Sequence, residues 1–171
     1  GLLSESMASL GARVTGVDPA EKNIAIGRAH AEAAGLDIDY LHGSVERLHQ
    51  RQFDVVLNME VVEHVENLET FMTHCCELTR PGGVQFLATI NRNPLAWLVA
   101  IVGAEYILRW LPRGTHEWSK FVKPEEAAVM LKKGGLQICT RRGVSVNPVT
   151  RGYRVTSFTG VNYMVAGVKE T

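Results

Sequence analysis

The chain is poor in cysteine, in net charge and in long apolar runs, and each shortage excludes something. Its three cysteines, Cys75, Cys76 and Cys139, are few, odd in number and not spaced as paired metal-binding motifs. A disulfide framework is therefore not expected, and buried thiols in a reducing compartment are. Eighteen basic residues balance eighteen acidic ones, which removes any general electrostatic case for nucleic acid as a partner. Spanning a bilayer takes about 20 apolar residues; the apolar stretch at 95–104 is too short and is broken by Glu105 and Arg109. There is no internal repeat and no low-complexity tract. What remains is 171 residues, 46% apolar, enough for one buried core and a single domain over 1–171.

Periodicity and turn residues divide the chain into alternating elements. A helix over 2–10 stops at Gly11. Residues 13–18 read as a strand ending in Asp18, and Pro19 opens a helix over 21–34 that stops at Gly35. Short strands follow at 38–41 and 53–59, the latter nearly all apolar, as in a strand covered on both faces. A helix over 68–78 is closed by Arg80-Pro81-Gly82-Gly83 before a strand at 84–90. A helix over 125–133 ends at Gly134-Gly135, and strands at 136–142 and 162–168 finish the chain. Alternation of this kind predicts an α/β fold with a mostly parallel sheet and helices on both faces. Residues 144–160 are too polar and turn-rich for a crossover helix, so the last strand is expected to run antiparallel to its predecessor. An ordinary dinucleotide-binding fold keeps those strands parallel.

In open α/β sheets, ligands sit beyond the carboxyl ends of the strands. Asp18 ends the first strand, where its carboxylate can accept hydrogen bonds from both ribose hydroxyls of an adenosine; as an acid before proline it can equally start a helix. Ser44 and Val45, after Gly43, can flank an adenine ring or simply make a turn. Met59 closes the run FDVVLNM, where a thioether suits either a ligand's sulfonium region or core filling.

A helix after a glycine, then VTGVDP, FDVV, NMEVVEHV and RPGG before a strand together resemble the class I S-adenosylmethionine-dependent methyltransferases. TINRN, the segment VGAEYILRWLPRGTHEW with KFVKP, and the tail with NP and VNYM narrow the resemblance to the ubiquinone-biosynthesis O-methyltransferases. It covers essentially the whole chain. It implies a Rossmann-like sheet with an antiparallel last strand and a helical insert at 91–124 before the last helix. It also implies a first strand and glycine-rich loop preceding this point, with Gly1 matching that loop's last glycine. S-adenosyl-L-methionine is the implied cofactor. The implied substrates are polyprenylated phenols or quinols, methylated on oxygen at both such steps of ubiquinone biosynthesis. The implied place is a membrane surface, either the inner membrane facing a bacterial cytoplasm or the matrix side of the mitochondrial inner membrane. Other ubiquinone-biosynthesis proteins are possible partners there.

Glu60, Glu63 and His64 stand at i, i+3 and i+4 and would share one face of a helix beginning directly after Met59. Two carboxylates and an imidazole can hold a divalent ion, and the resemblance implies Mg²⁺ on these three residues. The residues alone also allow a helix N-terminus favoured by acids, a structural His64, or His64 as general base. His116, in GTHEW, is a second candidate base. The insert holds all three tryptophans, Trp97, Trp110 and Trp118, and a local excess of basic residues. Such a segment over 94–118 suits a helix lying in a membrane interface, a lid over the active site, or both. Three rival functions are a methyltransferase for another small molecule, a non-catalytic scaffold subunit, and a nicotinamide oxidoreductase using Asp18.

Overall fold

The structure, a computed structural model, describes residues 1–107, 112, 117–147 and 152–171. The chain divides into two units, residues 1–49 and 50–171.

In the first unit, α1 (Leu2–Ser9) leads to β1 (Val14–Asp18), and α2 (Glu21–Ala33) crosses to β2 (Ile38–His42). The two strands are parallel, with Val14 opposite Ile38 and Asp18 opposite His42. Gly35 ends α2 at φ +65°, a left-handed residue that only glycine adopts at little cost. The unit's small core is Ile24, Ala31 and Tyr40, with Leu36 and Ile38 packed against it. Tyr40 fits because Gly16 and Gly27 bare the backbone beneath its ring, where a β-carbon would stand 2.9 and 3.0 Å from ring atoms.

The second unit carries a five-stranded sheet of β3 (Phe53–Met59), β4 (Thr79–Ile90), β5 (Leu136–Val146), β6 (Tyr153–Thr156) and β7 (Asn162–Lys169), in the order β3-β4-β7-β5-β6. Only β3 and β4 are parallel; β7 lies between β4 and β5 and runs antiparallel to both. The antiparallel last strand is as expected, and its insertion between two earlier strands is new. Helix α3 (Leu68–Leu78) and, later in the chain, a helix at Pro124–Lys133 bury Met72, Cys76 and Leu131 against Leu87, Leu136, Tyr163 and Val165. Each large apolar side chain so buried contributes about 1.5–3 kcal/mol.

Two boundaries differ from the sequence expectation. Strand β4 begins at Thr79, because Arg80-Pro81-Gly82-Gly83 forms an irregularity within the ladder: Phe53 pairs with Thr79 and Val55 with Val84. Gly83 lies against the Phe53 and Asp54 carbonyls, where a β-carbon would come within 3.1 and 3.0 Å. Strand β5 runs on to Val146 and pairs with β6, an edge strand that the polar composition of this stretch hid.

The insert begins with a single turn, α4 (Pro94–Ala96), and continues as a π-helical segment, Trp97–Ile107. Asn93 caps it, accepting the Ala96 N–H at 2.8 Å, and Pro94 takes the first helical position. The same Asn93 donates to the Gly160 carbonyl, Asn91 donates to the Thr159 carbonyl, and Arg92 pairs with Glu126. NRN thus ties the insert's start to the β6–β7 loop and to α5 (Pro124–Lys133). Ala96 and Ala100 pack with Ile90 and Phe121, while Leu95, Trp97, Leu98 and Val99 are 44–52% exposed. Among the described residues no helix is long and apolar enough to cross a membrane. Trp110 and His116 lie outside the described residues.

Candidate active site

In the first unit the parallel pairing of β1 and β2 brings two strand ends together. Asp18 Oδ1 accepts the Ala20 N–H at 2.7 Å, and Oδ2 accepts from Asn23 Nδ2 at 3.0 Å. The turn into α2 thereby fixes the carboxylate, while each oxygen keeps a lone pair for another donor. The Asp18 carbonyl accepts the Gly43 N–H at 3.0 Å, which seats Ser44 and Val45 beside it. Ser44 is exposed, Val45 is half-buried, and both begin the 3₁₀ turn Val45–Leu48. Gly1 caps α1, and its carbonyl accepts from Tyr40 Oη at 3.5 Å. Asn23 carried no signal in the sequence; its role shows only once α2 turns back on Asp18.

In the second unit the chain leaves β3 differently from the sequence expectation. No helix starts after Met59. Glu60 takes φ +55°, in the left-handed region that is costly for a side-chain-bearing residue. Its N–H donates to the Ala88 carbonyl at 2.9 Å, and the following residues form a turn in which the His64 N–H donates to the Val61 carbonyl. Helix α3 waits until Asn67, whose side chain accepts the Thr70 N–H at 3.0 Å. Glu60, Glu63 and His64 therefore do not share a helical face.

The turn separates their environments instead. Glu63 is buried, 4% exposed, and its Oε2 accepts from Thr89 Oγ1, itself fully buried, at 2.8 Å. Glu60 is exposed as a residue, and its carboxyl meets that of Glu63 through a hydrogen bond. Burial first, then that hydrogen bond and the repulsion of the second carboxylate, push the Glu60 carboxyl up to about 8. His64 is exposed. Met59 is half-buried beside the pair, opposite Ala88.

Two carboxyl groups in contact, one of them buried, are a donor set that a hard divalent cation would suit, since Mg²⁺ takes one or two carboxylates and keeps its waters. Among the described residues, however, no group of three His, Cys, Asp or Glu gathers at metal-binding spacing. The fit is to the two glutamates; His64 is not drawn in with them. Neither glutamate has a cation paired with it among the described residues.

Residues 1–87 match the family model described as a methyltransferase domain. The chain is 49% identical over 172 residues to the ubiquinone biosynthesis O-methyltransferase of Roseobacter denitrificans, covering 99% of this chain and 69% of that protein. It is 50% identical over 173 residues to the protein of the same name from Rhizobium johnstonii, covering 100% and 70%. Among solved structures, the magnesium protoporphyrin IX methyltransferase of Synechocystis, determined with bound S-adenosylhomocysteine, shares the fold at a TM-score of 0.69, with 17% identity, over 98% of this chain and 68% of that one. The chain belongs to the ubiquinone-biosynthesis O-methyltransferases, S-adenosylmethionine-dependent enzymes of the class I methyltransferase superfamily.

Proposed function

We propose that the protein methylates phenolic oxygens of polyprenylated ubiquinone precursors, at both O-methylation steps, through a single methyltransferase domain of which residues 1–171 are a part. The observation that carries this reading is identity near one half, over nearly the whole chain, with relatives named for that pathway. Asp18 would receive the ribose hydroxyls of S-adenosylmethionine on its free lone pairs, and Ser44 and Val45 would flank the adenine. Gly1 would be the last glycine of the loop that meets the cofactor. Methyl transfer exchanges a sulfur–carbon bond for an oxygen–carbon bond and releases the phenolic proton. A phenol titrates near 10, so the oxygen needs activation at neutral pH.

Glu60 and Glu63 would hold Mg²⁺. When bound, the ion would acidify and orient the phenolic oxygen. The two carboxylates would hold the ion where it could orient that oxygen for in-line attack. His64, exposed on the same turn, is the proposed proton acceptor, with His116 as the second candidate. The exposed Leu95, Trp97, Leu98 and Val99 support a segment over 94–118 that enters the lipid interface and receives a prenylated substrate there as a lid. On this reading the enzyme would sit peripherally on a membrane, where other proteins of the pathway could meet it.

The test is transfer of a labelled methyl group to catechols with and without prenyl chains, with EDTA and with Mg²⁺ restored. Prenylated catechols should be preferred, EDTA should abolish turnover, and Mg²⁺ should restore it. Full turnover in EDTA removes the metal role, and equal use of plain catechols removes the lipid substrate.

A further inference from the structure

We infer that Thr89 is a positioning residue for methyl transfer, acting through Glu63. The end of β4 holds the turn after Met59 at two successive residues: the Ala88 carbonyl takes the Glu60 N–H at 2.9 Å, and Thr89 Oγ1 donates to Glu63 Oε2 at 2.8 Å. The first contact is backbone and any residue would supply it. The second depends on one hydroxyl.

Three properties make that hydroxyl more than packing. Glu63 is a buried acceptor-only group, and apart from its contact with the Glu60 carboxyl, Thr89 is the donor it has among the described residues. Thr89 is 0% exposed and lies on the same face of β4 as Leu87 and Gln85, both also 0% exposed, so no water replaces it cheaply. A β-branched side chain in a strand has few χ1 choices, so its donor direction is set before Glu63 arrives. The turn that carries Glu63 has no regular secondary structure of its own between Glu60 and α3. Without the Thr89 bond, the glutamate side chain is free to swing toward water, and the carboxyl pair loses its fixed geometry.

The inference rests on the reading that Glu63 serves the reaction, and a double-mutant cycle separates the two. Four enzymes are compared, the parent, T89V, E63Q and T89V/E63Q, with T89S as the conservative rescue and a short-chain prenylated catechol as substrate. Valine keeps the shape and removes the donor; serine keeps the donor. T89V should lower kcat by about 10–100-fold, the usual range for removing a residue that orients a ligand-bearing side chain. KM for S-adenosylmethionine should hold within about twofold, because it is uniform binding that sets it. T89S should recover most of the loss, and T89V should add nothing in the E63Q background. Mn²⁺ affinity, read without substrate from the free-ion paramagnetic resonance signal, should weaken in T89V by a similar factor and return in T89S.

Independent, multiplying effects of T89V and E63Q overturn the inference while leaving Glu63 in its role. So does a T89V enzyme with parental kcat, or with Mn²⁺ binding equal to the parent's. Loss of activity matched by a lowered melting temperature, with no rescue by serine, shows a packing role alone and also overturns it. E63Q with parental kcat/KM removes Glu63 from the reaction, and the inference falls with it.

Discussion

The Asp18 corner and the Glu60–Glu63 turn are both acids at the carboxyl ends of parallel strands, yet they are built on opposite principles. Asp18 is half-exposed, and two donors of its own turn, the Ala20 N–H and Asn23 Nδ2, hold its carboxylate ready-made. Glu63 is buried, with one hydroxyl donor and a second carboxyl against it. The first arrangement stabilises a charge that any ribose can use with little rearrangement. The second packs two carboxyls together with no cation paired to either among the described residues. Under the proposed function, binding would belong with the first and activation with the second.

The sharpest way to break this comparison is to remove each acid. Loss of charge stabilisation worth several kcal/mol in the transition state means that E63A should lower kcat by about a hundredfold or more. D18A removes hydrogen bonds to a charged group, each worth about 1.5–3 kcal/mol, and should raise KM for S-adenosylmethionine about tenfold or more. Its kcat should stay within about threefold, the mark of lost uniform binding. Steady-state kinetics on both variants decides it. The same pattern of kcat and KM in the two would erase the distinction.

How much of this was legible beforehand follows from the range of the interactions. Strands ending in Asp18 and Met59 show in the sequence because period and turn residues are local signals. The route of the chain after Met59 does not, since i, i+3, i+4 spacing looks alike in a helix and in a turn. A long-range contact decides between them: the Glu60 N–H continues onto the Ala88 carbonyl, and the backbone there takes φ +55°. The placement of β7 between β4 and β5 is likewise a pairing of distant segments with nothing local to announce it. Thr89 sits in the recognisable TINRN, but a single hydroxyl carries no periodicity, and its meaning appears only when Glu63 is 2.8 Å away. The Asn93-Pro94 start of the insert is the converse, a cap written in two adjacent residues.

The second effect is a dependence of stability on pH set by the carboxyl pair. The Glu60 carboxyl is raised from the ordinary 4.5 to about 8 by burial, its bond to Glu63 and their repulsion. Between those two values the folded protein binds more protons than the unfolded chain, so stability falls as pH rises. The contribution is fully present below about 4.5 and lost as pH climbs through about 8. Melting temperatures taken between pH 5 and 8.5 should therefore decline toward the alkaline end, and E60Q should flatten the slope. If the pair holds a divalent cation, Mg²⁺ should restore stability most at the high-pH end, where both carboxyls are ionised. A slope unchanged by E60Q would mean that the two carboxyls do not share a proton.

The smallest effect tests the ready-made half of the comparison. Asn23 Nδ2 donates to Asp18 Oδ2 from the first turns of α2, in a part of the surface where water can substitute for it. A net hydrogen bond of this kind is worth about 0.5–1.5 kcal/mol, and the exposed setting places it at the lower end. N23A should then raise KM for S-adenosylmethionine by about two- to threefold, with kcat and melting temperature nearly unchanged. The logic is that the Ala20 N–H still anchors Oδ1, so the carboxylate keeps its place while losing its fixed rotation. A tenfold or larger rise would mean that the Asp18 corner, like the buried pair, depends on a single donor, and the contrast between the two acids would vanish.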